Sequence, residues 1–212
     1  MVLPIESSQL VLFASATVLL NLTPGPDLLY TMSRAVGQGW RSGVAAACGN
    51  FCGTLCQTAA VVLGLAALLA ASAAAFEVTR WLGVAYLLYL GYRSWRAGGA
   101  VEPGAQRAPA SFRRVLAEAF VIHTLNPKVV LFFLAFLPQF IDPARGPGWA
   151  QLAFLGLWFA CQTFVTLVVL SALADRMGAG FRSRPGLVAL ARRATGVLFV
   201  GLGVRLAMAS RA

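Results

Sequence analysis

Two short motifs place charged residues inside long apolar stretches of the sequence. They are Thr23-Pro24-Gly25-Pro26-Asp27 and Asn126-Pro127-Lys128. A proline removes a helix hydrogen bond, and the backbone groups that it frees are tolerated in a bilayer only beside protein or a water-filled cavity. A charge at that depth usually marks a substrate or ion pathway. Two such breaks, one in each half of a chain, predict the binding site of a secondary transporter.

Lys128 is the only lysine of the chain. A buried ammonium group needs a carboxylate, carbonyls or water around it, and Asp27 holds the related position in the other motif. The pair could bind a zwitterion, with the carboxylate of the ligand near Lys128 and its ammonium near Asp27. Two alternatives stay open: Asp27 caps the half-helix that follows it, or the ion pair only locks the two halves together.

Other polar residues lie within the same apolar segments. His123, about one turn before Lys128, could relay protons or could be a hydrogen-bonded packing residue. Asn50, Gln57 and Gln162 could line the pathway, although we slightly favour a role in holding helices together.

Two further features concern helix contacts. Gly49 and Gly53 form a G-x-x-x-G motif, which favours close approach of a second helix. Glu118 is predicted to pair with Arg113 or Arg114 at the membrane interface.

Four cysteines, Cys48, Cys52, Cys56 and Cys161, lie in apolar runs. The first three recur every fourth residue and could bind a soft metal, and a Cys52–Cys161 pair could exchange electrons as a disulfide. We favour a packing role, because cysteine behaves as a small apolar residue and no histidine or carboxylate completes a metal site.

The composition is that of a membrane protein. The 212 residues are 59% hydrophobic and 11% charged, with a mean hydropathy of +0.76, whereas soluble domains carry about 25% charged residues. The net charge of +10 does not indicate nucleic-acid binding, because the arginines lie in short runs between apolar segments. No P-loop, nucleotide site or hydrolytic constellation is present, so we expect a transporter rather than an enzyme, with no cofactor and no use of ATP.

Six segments have the length and apolarity of membrane-spanning helices. They run over about 10–33, 43–70, 76–96, 115–140, 149–173 and 188–208. The predicted fold is therefore a single all-α transmembrane domain whose first and fourth helices are broken. A flexible loop at about 97–111 divides it into repeats over about 10–96 and 112–208. Three spans in each repeat predict that the repeats are inverted with respect to each other.

The arginines predict the orientation. Twelve of them lie in or beside the connections 34–42, 92–114 and 174–187 and the start of the last span, and four lie on the other side. The arginine-rich side is predicted to be cytoplasmic, which places both termini outside.

The sequence resembles the LysE/RhtB family of bacterial amino-acid exporters at four places. These are LTPGPDLLYTMSRAVGQGWRSGVAAACG (22–49), LGVAYLLYLGYRSWR (82–96), LNPKVVLFFLAFLPQFIDP (125–143) and GVLFVGLGVRLA (196–207). The resemblance implies export of amino acids or close derivatives across the bacterial inner membrane, with protons as the coupling ion. It also implies that Pro24 to Asp27 and Asn126 to Lys128 match motif positions of the family. The sequence departs at His123, where similar proteins often carry asparagine, and at Ala119, where glycine is common.

Two other functions stay open at this point. The main alternative is a divalent or soft-metal ion exporter, and a less favoured one is a membrane carrier that uses thiol redox chemistry. The lipid bilayer is an expected partner in every case, and association into homo-oligomers is left open.

Overall fold

In a computed structural model, the described residues are 4–23, 25–71 and 109–177, with isolated positions between 81 and 92 and between 197 and 208. All regular structure in these parts of the chain is helical. Six helices are continuous: α1 Ser7–Leu22, α2 Pro26–Gln38, α3 Trp40–Ala71, α4 Phe112–Thr124, α5 Pro127–Phe136 and α6 Gly148–Met177. Two short 3-10 turns, Leu137–Phe140 and Pro143–Arg145, follow α5.

Two of these helices are long and apolar enough to cross a membrane without interruption, over Trp40–Gly64 in α3 and Gly148–Arg176 in α6. Two helix pairs reach the same length and apolarity only when each pair is taken together: α1 and α2 meet at 61°, and α4 and the helix after it meet at 52°. The described residues therefore contain up to four of the six predicted spans. The predicted spans 76–96 and 188–208 and most of the 97–111 loop lie outside the described residues, apart from the isolated helical positions.

Proline and the residues around it interrupt both bent spans as predicted. At the first break, α1 ends at Leu22, Gly25 adopts an extended conformation, and Pro26 is the first residue of α2. At the second break, the Asn126 side chain caps α5 by accepting a hydrogen bond of 3.0 Å from the backbone N–H of Lys128. Proline suits such a first helical position, because its missing N–H has no partner there in any case.

The prediction of a loop over residues 34–42 was wrong, because this stretch is helical except at Gly39. Helix α2 continues to Gln38, and Gly39 alone separates it from α3, with a φ of 84° that favours glycine. The reason is that Arg34 lies against α4, where it forms a 2.8 Å ion pair with Glu118 and is buried. An arginine with such a partner can extend a helix at a point where composition alone suggests a loop.

The half-helices pack in antiparallel pairs across the two breaks. The Phe13 ring of α1 packs against Phe136, the last residue of α5, and Phe140 in the 3-10 turn after it, with ring centroids 6.2 and 5.3 Å apart. The other two half-helices, α2 and α4, also run antiparallel, since Asp27 lies beside His123 and Arg34 lies beside Glu118. Each half-helix before a break thus packs against the half-helix after the other break.

Glycine brings α3 close to α4, as the G-x-x-x-G motif predicts. A methyl group added at Gly49 would lie 2.7 Å from the Ala119 side chain and 2.9 Å from the Phe120 backbone nitrogen. One added at Gly53 would lie 3.1 Å from His123 and Thr124. The buried polar side chains of α3 can therefore reach the second break.

We expect Gly49→Ala to lower the melting temperature of the purified protein in detergent by several degrees, because backbone atoms of α4 cannot move away as a side chain can. Gly64→Ala is the matched control on the same helix, since nothing lies within 4 Å of a methyl group there. It should be neutral or slightly stabilising, because alanine is the better helix former by about 0.5–1 kcal/mol. Equal melting temperatures for the two variants would contradict the close packing of α3 and α4.

Candidate substrate-binding site

Asp27 lies in the first turn of α2 and is turned into the protein. Its carboxylate lies 3.6 Å from the Lys128 ammonium through Oδ1 and 3.6 Å from His123 Nδ1 through Oδ2. No side-chain hydrogen bond caps α2, whose capping position is held by Gly25. The Asp27 carboxylate therefore faces two basic groups from the second break, in addition to the backbone N–H of Leu28 at the start of α2.

Lys128 crosses from the second break to the first. Its Nζ donates hydrogen bonds to the backbone carbonyls of Leu20, at 3.3 Å, and of Thr23, at 3.2 Å. The side chains of Lys128 and Asp27 are only 8% and 7% exposed. The predicted pairing of these two residues is thus present, and the carbonyls at the end of α1 complete the surroundings of the ammonium group.

His123 links this pair to α3. Its Nε2 lies 2.9 Å from the Thr54 hydroxyl, which also donates to the Asn50 carbonyl at 3.0 Å. The other ring nitrogen faces Asp27. A continuous line of polar groups therefore runs from α3 through the imidazole to the buried carboxylate and on to Lys128.

Amide side chains of α3 satisfy backbone and side-chain groups beside this line. Gln57 donates to the carbonyls of His123, at 3.0 Å, and Thr124, at 3.1 Å. The His123 carbonyl also accepts from the Asn126 N–H at 3.0 Å, so Gln57 matters most for the Thr124 carbonyl. Asn50 donates to the Thr31 hydroxyl at 3.2 Å. Both residues thus hold helices together at the breaks.

Several buried polar atoms around the breaks have no hydrogen-bond partner among the described residues. They are Asn21 Nδ2, Asp27 Oδ1, Asn50 Oδ1, Gln57 Oε1, His123 Nδ1, Thr124 Oγ1 and Asn126 Nδ2. Each such atom costs about 1–3 kcal/mol when it is left unsatisfied. Their concentration at the two breaks and on the adjoining face of α3 is typical of a site that hydrogen-bonds a polar ligand or water.

Most of the residues singled out from the sequence meet at this place. Thr23, Gly25, Asp27, His123 and Lys128 are buried there. Asn126 and Pro127 begin α5 beside them, whereas Pro26 is exposed at the start of α2 and Pro24 lies outside the described residues.

Gln162 does not share this place. Its Nε2 donates to the Ala14 carbonyl at 2.7 Å, and its Oε1 accepts from Trp158, so it joins α6 to α1 about two turns before the first break. Of the three polar residues considered for the pathway, only Asn50 and Gln57 lie beside the charged pair.

A second polar cluster was missed from the sequence. Tyr30 donates to Glu118 at 2.7 Å, Arg34 contacts both of them, and Arg114 pairs with Glu118 at 2.9 Å as predicted. The spacing of Asp27, Tyr30 and Arg34 at steps of three and four residues is the signal that could have found it, since these residues share one face of a helix.

The cysteines differ from the expected packing role. Cys48 is half-buried, but Cys52, Cys56 and Cys161 are exposed on the outer faces of α3 and α6, and all four are free. Gly49 and Gly53 lie on the face of α3 that packs against α4, whereas Cys52 and Cys56 are exposed. Among the described residues, no group of three or more histidine, cysteine or acidic side chains is placed to hold a metal ion.

Comparison with known proteins identifies the family. Residues 18–210 match the family model described as LysE type translocator. The chain is 34% identical over 196 residues to a homoserine/homoserine lactone efflux protein of Salmonella typhimurium, covering 92% of this chain and 94% of that protein. It is 30% identical over 197 residues to a leucine efflux protein of Salmonella choleraesuis, covering 90% of each.

An uncharacterised membrane protein of Pseudomonas aeruginosa is 35% identical over 206 residues, covering 93% of this chain and 94% of that protein. No solved structure matches. The chain belongs to the LysE-type translocator family of multi-pass membrane proteins, which confirms the resemblance seen in its motifs.

We expect a double-mutant cycle on Asp27→Asn and Lys128→Ala to show strong coupling in the free energy of unfolding, measured by denaturant titration in micelles. Each single change leaves one buried charge unpaired, which costs about 3–5 kcal/mol, so the double variant should lose much less than the sum. The control cycle uses Asp142→Asn and Arg145→Ala, an exposed pair at 3.4 Å, which should couple by about 0–1 kcal/mol. Additive losses at Asp27 and Lys128 would show that the two charges are not partners.

Proposed function

We propose that this protein is a secondary transporter that exports an amino acid, or a close derivative, across the bacterial inner membrane. The observation that carries the proposal is the buried Asp27–Lys128 pair, set between the ends of two broken helices. Charges are rarely placed so deep in a membrane protein unless a substrate or ion passes them. The names of two relatives, efflux proteins for homoserine and its lactone and for leucine, point to the same class of substrate.

The pair can recognise both ends of a zwitterion. The Lys128 ammonium and the free N–H groups at the start of α5 attract a carboxylate, because a helix N-terminus carries a partial positive charge. Asp27 attracts an ammonium group. Homoserine, its lactone and leucine all carry the ammonium, while the lactone lacks a free carboxylate, so Asp27 is the residue suited to what these compounds share.

Coupling to protons is supported by the contact between Asp27 and His123. While the Thr54 hydroxyl donates to the Asn50 carbonyl, Nε2 of the imidazole must donate to Thr54. The Nδ1 atom can then offer a proton to Asp27 only in the charged imidazolium form. His123 is therefore placed to exchange a proton with Asp27.

The helix pairing supports the inverted-repeat arrangement. The half-helices α1 and α4 precede the breaks, and α2 and α5 follow them. A two-fold axis between the breaks would exchange the α1–α5 pair with the α2–α4 pair, as expected for repeats that enter the membrane from opposite sides. Such repeats allow one bundle to rock against the other around a site at their interface.

The ends of the helices support the predicted orientation. Gln38 at the end of α2 donates to the Ala110 carbonyl before α4, at 3.4 Å. A methyl group added at Gly39 would lie 3.8 Å from Asp175 near the end of α6. Three arginine-rich ends therefore lie on one side, which we assign to the cytoplasm.

The substrate can be identified by a growth-inhibition screen with amino acids, their analogues and dipeptides, since an exporter gives selective resistance to its substrate. In vesicles, we expect Lys128→Ala to reduce both driven export and exchange about 100-fold or more, the equivalent of about 2.7 kcal/mol. Asp27→Asn should abolish driven export and leave weak exchange at high substrate concentration, because an amide binds the ammonium poorly and carries no proton.

Arg145→Ala and Asp142→Asn are the matched controls and should stay within about twofold of the wild type, since this pair is exposed. Driven export that survives in a stably expressed Asp27→Asn, Lys128→Ala double variant would place the site elsewhere. Exchange and driven export that fall together in Asp27→Asn would argue against a role of Asp27 in proton coupling.

A further inference from the structure

The end of α1 forms an unusual set of hydrogen-bond acceptors. The Thr23 carbonyl has no helical partner, because the chain leaves the helix at the first break, and the Leu20 carbonyl is shared with the Thr23 N–H at 3.1 Å. Both accept hydrogen bonds from Lys128 Nζ, and Asp27 Oδ1 lies 3.6 Å from the same nitrogen. The three oxygens within 3.6 Å of this nitrogen equal in number the three N–H groups of a primary ammonium ion.

We propose that the Leu20 carbonyl, the Thr23 carbonyl and Asp27 Oδ1 form a binding site for a primary ammonium group, hereafter the ammonium site. Lys128 fills it in this conformation, and the amino group of the substrate takes its place during transport. The second half of this statement rests on the proposed function. Lys128 is thus an internal substitute for the substrate amine as well as the anchor for its carboxylate.

The hydrogen-bond geometry leaves room for this exchange. Lys128 donates two hydrogen bonds to neutral carbonyls, while Asp27 Oδ1 is buried without a hydrogen-bond partner among the described residues. The carboxylate, which is the strongest acceptor of the three, is therefore not saturated by Lys128. An amine on a small ligand is not tied to α5 and can move closer to Asp27 than Lys128 does.

Gly25 sets how closely Lys128 can approach. A methyl group there would lie 2.9 Å from both Lys128 Nζ and Asp27 Oδ1 and 3.4 Å from Lys128 Cε. The Gly25 backbone is extended, a conformation that any residue adopts. Glycine is thus suited to this position because it has no side chain to crowd Lys128 and Asp27, and not because of its backbone freedom.

Charge balance explains why the exchange suits a transporter. With Lys128 in the ammonium site, Asp27 is neutralised and the empty protein carries no net buried charge at the breaks. A zwitterionic substrate draws Lys128 to its carboxylate and places its own ammonium against Asp27, and the sum is again zero. Either occupant of the ammonium site thus compensates the ionised Asp27, as a charge buried in a medium of low dielectric constant requires.

Methylammonium is a probe that tests the site without transport. In Lys128→Met, which keeps an unbranched side chain without the charge, we expect methylammonium at millimolar concentrations to raise the melting temperature by several degrees. Tetramethylammonium has the same charge but no N–H donor, so it should give a much smaller shift. The wild type, in which Lys128 holds the site, and Arg145→Met, changed at a residue near the protein surface, should show no difference between the two ions.

Asp27→Asn added to Lys128→Met should remove the methylammonium effect. Equal shifts with both ions in Lys128→Met, or the same methylammonium-specific shift in the wild type, would overturn the proposal. If Lys128→Met does not remain folded on extraction, methylammonium in the extraction buffer should restore monodisperse protein where tetramethylammonium does not. Equal recovery in both ions would count against the site.

This test separates the ammonium site from the proposed function. A methylammonium-specific shift in a protein for which no exported amino acid is found would leave the ammonium site standing and remove amino-acid export. Export that depends on Asp27 and Lys128, together with no methylammonium-specific shift in Lys128→Met, would remove the ammonium site alone.

Discussion

The Lys128 ammonium must be compensated where it is buried, and that requirement accounts for much of the structure around it. An isolated charge taken out of water costs several kcal/mol even after the protein relaxes. The chain meets this cost with Asp27 from α2 and with two carbonyls at the end of α1. Those carbonyls are available only because the helix stops there, so the first break is a condition for burying the lysine of the second.

Helix α3 depends on the same constraint. The second break frees the Thr124 carbonyl, and Gln57 donates to it and to the neighbouring His123 carbonyl. It can do so because Gly53 lets α3 approach α4 closely. The polar residues of α3 thus stabilise a break that an apolar helix could not tolerate in a membrane, and they bring the Thr54–His123 contact next to Asp27.

The sequence allowed the breaks and their ionic contact to be predicted, because prolines in apolar runs and a single lysine are rare enough to be informative. The burial of Arg34 was missed, since an arginine near a helix end is normally exposed. The spacing of Asp27, Tyr30 and Arg34 indicates a shared helix face, but the fold is needed to place Arg34 against Glu118. The sequence also could not show which face of α3 is exposed. The cysteines were therefore expected to be packed inside the protein, although three of the four are exposed. The partners of Lys128 on α1 are backbone carbonyls, which no side-chain pattern reveals.

The central claim is that the Asp27–Lys128 pair binds the two charged ends of the substrate, one end to each residue. Equilibrium binding of the exported amino acid, its N-acetyl form and its methyl ester to purified protein tests this most directly. We predict that N-acetylation weakens binding to the wild type at least about tenfold but has little effect on binding to Asp27→Asn. Esterification should likewise weaken binding to the wild type at least about tenfold but have little effect on binding to Lys128→Ala. Penalties of equal size in the wild type and both variants would contradict the account, because each modification would then act at a place other than its assigned partner.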